Sequence, residues 1–153
     1  MCPANAKTAP DLSLALDADP VAVRLTLRDV MQGAAIVPLN TDQRARLEIV
    51  LAEVLNNIVE HAYADFPGQI ELRIFTAAEV LRCEVTDYGR QMPGNQAPAG
   101  RNASLDVPPE DLPEGGFGWF LIRSLTRDLQ YQRDGEVNRL CFSMDLRTGT
   151  LFA

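Results

Sequence analysis

Between Thr41 and Tyr63 the apolar residues Leu47, Val50, Leu51, Val54, Leu55, Ile58 and Ala62 recur three and four residues apart, a spacing that one face of an α-helix satisfies and a strand does not. A helix this long needs a core to face. With 153 residues, 46% of them apolar, the chain holds enough material for one ordinary domain and nothing suggests a second. The polar side of the helix is patterned too. In the stretch EVLNNIVEHAY, 53–63, Glu53, Asn57 and His61 recur every four residues. At about 100° per residue they form a slowly turning row beside the apolar stripe, at the edge of the core.

The hydrophobic period changes along the rest of the chain. LSLAL at 12–16 alternates like a short strand, and Asp19 with Pro20 then opens a helix carrying Val23, Leu25, Leu27 and Val30 that should stop near Gly33. Thr41 is the expected cap of the long helix. After the DFPG turn at 65–68, QIELRIFTA and VLRCEVTDY read as a hairpin joined at Ala77 to Glu79. From Gly89 to Glu114 Pro, Gly, Asn and Ala dominate and periodicity vanishes, as in a functional lid or a disordered segment. GGFGWFLIRSLTRDL then turns helical, and LQYQR and NRLCFSMDL close the chain as two strands around Asp134 and Gly135. The elements do not alternate as βαβ units. This order predicts an α+β two-layer sandwich with helices on one face of a mixed sheet.

Charge and composition remove several classes of function. A formal net charge of −7 lacks the basic face that nucleic acid or an anionic membrane surface requires, and fits a soluble cytoplasmic protein. No apolar run approaches the ~20 residues of a membrane span, and MCPANAKTAP has no secretory-signal blocks, so residues 1–10 read as a flexible tail. The three cysteines are widely spaced without a CxxC pair, which argues against a disulfide framework or a zinc site. There is no GxxxxGK[ST] loop, and the single lysine, Lys7, lies in the tail. Any phosphate chemistry must therefore use Mg²⁺, arginine and backbone donors. The single histidine, His61, lies within the long helix, so phosphorylation of the chain on His is not expected.

Three chemically suggestive pieces fall at the joints of this layout: the Glu53, Asn57, His61 row, TDYG at 86–89 on a strand end, and EGGFG at 114–118 on a helix start. Alone, each has an ordinary explanation as a solvated helix flank, a turn or a flexible hinge. Their order is more informative. It resembles the ATP-binding domain of the GHKL superfamily, which includes gyrase and the histidine kinases, and more closely its small members, the anti-sigma factor serine kinases. Glu53, Asn57, His61, Ala62 and Tyr63 are similar to that family's E-x-x-x-N-x-x-x-H-A-Y helix, TDYG to its first glycine box and GGFGWFLIRSL to its second. The likeness covers roughly 12–147, making 11–153 an ATP-binding domain with a lid at about 90–114 that orders with nucleotide. It departs where Gly89 is followed by Arg90 and Gln91, since the first glycine box often has another Gly two residues on.

The resemblance implies roles for these residues. Mg²⁺ takes oxygen ligands and substrate phosphates, so the Asn57 amide oxygen is a sensible ligand, and Glu53, one turn earlier, is the candidate general base. Asp87 would accept the adenine amino proton, with Gly89 letting the ring approach the backbone. Gly115, Gly116 and Gly118 would fold around the phosphates, and His61 would either touch them or pack beneath the helix. The implied activity is an ATP- and Mg²⁺-dependent serine/threonine kinase acting on a small antagonist protein. A sigma factor or related regulator is an implied second partner and a homodimer an implied assembly. The alternative is a non-catalytic ATP-binding module that switches partners or sequesters a regulator.

Overall fold

The computed structural model describes residues 9–98 and 116–147. Among these residues five strands form one sheet in the order β1-β2-β3-β5-β4, with β1 at Leu12–Asp17, β2 at Gln69–Thr76, β3 at Val80–Asp87, β4 at Arg127–Asp134 and β5 at Val137–Asp145. Three α-helices, α1 at Pro20–Met31, α2 at Thr41–Asn57 and α3 at Gly116–Leu125, complete a two-layer α+β sandwich. The expected mixed sheet is corrected: every described strand pair is antiparallel. Two helices rather than one separate β1 from β2. The chain therefore reverses once more than in a βαβ crossover, and β2 runs against its neighbour.

One continuous core lies between the layers. Ile70, Leu72 and Ile74 of β2, Leu81, Cys83 and Val85 of β3, and Leu140, Phe142 and Met144 of β5 alternate toward the helices and are at most 3% exposed. The α2 stripe of Leu47, Val50, Leu51, Val54 and Leu55 meets them at 1% exposure or less. In α1 the buried positions are Val23, Leu27, Val30 and Met31. Leu25 is not among them and remains 41% exposed, because two residues of helix turn it about 200° from Val23.

The helix starts follow side-chain chemistry. Asp19 Oδ2 accepts from the Ala22 amide at 3.0 Å, as the Asp-Pro pair predicts. The cap of α2 is Asn40, not Thr41. Asn40 Oδ1 accepts from the Gln43 amide and Gln43 Oε1 from the Asn40 amide, both at 2.8 Å, a reciprocal capping box that a Thr one residue later cannot make. Among the described residues no helix is long and apolar enough to cross a membrane.

Candidate functional site

The site begins where two inward-facing strand rows stop being apolar. Along β3 the row runs Leu81, Cys83, Val85, Asp87, and along β5 it runs Met144, Phe142, Leu140, Asn138. The register sets Asp87 opposite Asn138, and both are buried. Asn138 Nδ2 donates to Asp87 Oδ1 at 2.7 Å, and the Gly89 amide donates to the same oxygen at 2.9 Å. Oδ2 takes no hydrogen bond among the described residues, so one face of the carboxylate is fixed by protein while the other is free for a ligand. Burial raises the Asp87 carboxyl above the ordinary carboxylate value, against the opposing pull of Asn138, Gly89 and Arg133.

The far wall is the end of α2. Regular helix stops at Asn57, and Ile58–Ala62 form a π-helical turn closed by the Tyr63 amide on the Ile58 carbonyl at 3.1 Å. The even row expected through His61 is therefore interrupted, and the last turn carries its own phase. His61 does not pack beneath the helix; it is exposed and lines the cavity. Tyr63 bolts the turn to the sheet, its hydroxyl donating to the Gln69 carbonyl at 2.7 Å and accepting from the Tyr88 amide at 2.8 Å.

The reason for glycine at 89 also differs from expectation. A Cβ there would stand 2.4 Å from the Ala62 carbonyl oxygen, so the π turn by itself requires glycine at this position. The Arg90 amide donates to that same carbonyl at 2.8 Å. Gly89→Ala must therefore push backbone against backbone. We expect a loss of about 1–3 kcal/mol in urea unfolding, as for other overpacked sites, with weakened ligand binding. Unchanged stability would show that the joint is slack.

α3 closes the third side. A Cβ on Gly118 would lie 2.5 Å from Glu53 Oε2 and 3.5 Å from Asn57 Nδ2, so this glycine lets α3 seat directly on the polar row of α2. Gly116 opens α3, while Gly115 and most of the expected lid, 99–114, lie outside the described residues. The cleft has a volume of about 420 Å³, within the usual range for a small-molecule site. Asn57, His61 and Asp87 line it, so the structure brings those three together; Glu53, Gly89 and Gly118 are not among the lining residues, although Gly118 lies against both Glu53 and Asn57. A separate cavity of about 480 Å³ between α1 and α2, bordered by Arg24, Arg28 and Arg44, contains none of the motif residues.

Asn57 offers the cavity an amide whose oxygen is of the kind that Mg²⁺ accepts. Its Nδ2 is buried without a hydrogen-bond partner. Such an orphan donor costs stability unless an acceptor outside the chain, such as a ligand oxygen, satisfies it, and a metal ion would use the other end of the amide, its oxygen. Among the described residues no cluster of three or more His, Cys, Asp or Glu is arranged to hold a metal, so a bound ion would depend on this amide and on ligand oxygens.

Sequence reasoning missed Trp119, Tyr131 and Asn138, which also line the cavity. Trp119 reads as an ordinary core residue of α3. Asn138 carried a usable signal, being the polar residue in a row otherwise made of Leu140, Phe142 and Met144.

The model of the histidine kinase-like ATPase domain family matches residues 16–144, from the end of β1 to the end of β5 but for its last residue. The chain is 30% identical over 114 residues to the serine-protein kinase RsbW of Bacillus cereus strain AH187, covering 73% of this chain and 69% of that protein. It matches the protein of the same name from Bacillus anthracis strain CDC 684 / NRRL 3495 at the same identity and coverage. The chain is a histidine kinase-like ATPase domain of the anti-sigma factor kinase family. The fold of this kinase-family domain is also that of a solved neighbour, the RsbU and RsbW domains of Rv1364c from Mycobacterium tuberculosis. That comparison has a TM-score of 0.55 and 18% identity over 95% of this chain and 35% of the other.

Proposed function

We propose that this domain is an ATP- and Mg²⁺-dependent protein kinase that phosphorylates a serine or threonine of a small antagonist protein. The proposed setting is a cytoplasmic partner-switching system in which a sigma factor or related regulator is the second partner and the domain works as a homodimer. One observation carries the reading: Asn57 and His61 at the end of one helix and Asp87 on a strand well over twenty residues on line one cavity of about 420 Å³, with Glu53 one turn along α2 against the start of α3.

In this reading Asp87 offers its free Oδ2 to the adenine amino group. Asn57 would hold Mg²⁺ through its amide oxygen, and the ion, when bound with ATP, supplies neutralisation of phosphate charge. Gly116 and Gly118 leave the first turn of α3 bare, so its amides, which lack intrahelical partners, face the phosphates where the helix dipole favours anions. Glu53 takes the proton of the acceptor hydroxyl as its oxygen bonds to the γ-phosphorus and the bond to the β-phosphate oxygen breaks, releasing ADP.

A second reading, an ATP-binding partner switch without transfer, is favoured by one observation: Glu53 is not among the residues that line the cavity. Two measurements separate the readings. Calorimetric titration with ATP and Mg²⁺ should show saturable binding; its absence rejects both. Transfer of labelled γ-phosphate to a candidate antagonist protein should then occur, and binding without transfer to any such partner leaves the switch.

A further inference from the structure

Asn138 is 2% exposed and has more polar neighbours than its contact with Asp87 requires. Its Nδ2 also reaches the carbonyls of Gly89 at 3.1 Å and Arg90 at 3.0 Å. Its Oδ1 accepts from the Tyr131 hydroxyl at 2.5 Å and from Arg133 Nη1 at 2.9 Å. This amide has one admissible orientation. Turned over, its oxygen would face a carboxylate and two carbonyls, and its NH₂ would face the guanidinium. The Tyr131 hydroxyl spends its proton on Asn138 and accepts from the Met92 amide at 3.0 Å. Arg133 Nη1 also donates to the Gly89 carbonyl at 2.9 Å.

These bonds fix both the carboxylate and the backbone that continues from it. Arg90, Gln91, Met92, Pro93 and Pro98 form one wall of the cavity. At the far end of that wall Arg123 of α3 donates to the carbonyls of Pro98 at 2.7 Å and Ala97 at 3.0 Å. At the near end, among the described residues, the Asn138 and Tyr131 network ties residues 89–92 to the sheet together with Arg133 on the Gly89 carbonyl and the Gly89 amide on Asp87, while the Arg90 amide on Ala62 and the Arg90–Asp65 ion pair tie them to the end of the α2 region.

We propose that Asn138 and Tyr131 are positioning residues that lock the base-reading carboxylate and the 89–92 wall of the cavity into one unit. This rests on the nucleotide reading of the cavity. The network has two separable arms. The Nδ2 arm aims Asp87, so losing it frees the carboxylate to turn while it stays buried. The Tyr131 arm holds Met92 and leaves Asp87 on its Asn138 bond.

The test uses Trp119, the single tryptophan of the chain, which lines the cavity and reports occupancy by its fluorescence. ATP and GTP affinities are measured for wild type, Asn138→Ala and Tyr131→Phe. Asn138→Ala should bind ATP about tenfold or more weakly and lose most of its preference for ATP over GTP, as when a charge-assisted bond is removed. Tyr131→Phe should weaken both nucleotides about three- to tenfold and keep the preference, as for loss of one neutral bond. A folded Asn138→Ala with wild-type affinity and preference overturns the proposal, as does a variant that is less stable yet binds normally. If Asn138→Ala does not fold, Tyr131→Phe decides: unchanged affinity overturns the proposal, and uniform weakening with preference kept supports it. A wild type that binds neither nucleotide sinks the cavity reading itself, an outcome distinct from variants that match a binding wild type.

Discussion

Glu53→Gln is expected to keep ATP affinity near wild type and to slow phosphoryl transfer by about 10² to 10⁴, or roughly 3 to 5 kcal/mol of barrier, the usual contribution of a positioned general base. The lower end is expected, because a loose phosphoryl-transfer transition state asks less of its base. The fold should tolerate the change. Glu53 makes no hydrogen bond or ion pair among the described residues, and glutamine fills the same space against Gly118. Asn57→Ala makes the useful contrast, since it removes an amide whose Nδ2 is an unsatisfied burden on the ligand-free fold. It should leave stability unchanged or slightly higher and weaken Mg²⁺-dependent ATP binding and transfer together. Nucleotide affinity and single-turnover transfer for both variants decide the matter; wild-type transfer by Glu53→Gln removes Glu53 from the chemistry.

Asp87→Asn should have two effects of opposite sign. The Asn138 amide and the Gly89 amide both donate to Oδ1, so a replacement amide must place its oxygen there and turn its NH₂ toward the cavity. That NH₂ would meet the adenine amino group donor to donor. A hydrogen bond to a charged group contributes about 1.5–3 kcal/mol, so ATP affinity should fall about tenfold to a hundredfold. Stability should move the other way. The folded protein raises the Asp87 carboxyl value, chiefly through burial, so the group favours folding fully only below the ordinary unfolded value. That contribution is lost as pH rises through the raised folded value, and the ionised carboxylate is then a cost at neutral pH. The ligand-free Asp87→Asn protein should therefore melt higher than wild type at neutral pH, and the gap should close on acidification. Thermal melts across pH and calorimetric titration check both halves. A lower melting temperature with normal ATP affinity would make Asp87 a structural residue.

Residues in the chain determined a good deal by themselves. The stripe from Leu47 to Ala62, the alternating rows of the hairpin and the closing strands, and the Asp-Pro start of α1 depend on neighbours a few positions away, and local periodicity reads such elements directly. The motif residues Asn57, His61 and Asp87 were also legible, because they break those local patterns. Tertiary structure decided the rest. The antiparallel sheet depends on how many helices intervene between paired strands, and Gly89 is explained by Ala62, twenty-seven positions away. The π turn depends on where the end of α2 must meet the sheet, since Tyr63 is held by Gln69 and Tyr88. Asn138 gains its meaning only from facing Asp87 across a strand register, and a register is a long-range pairing that no local window of sequence contains.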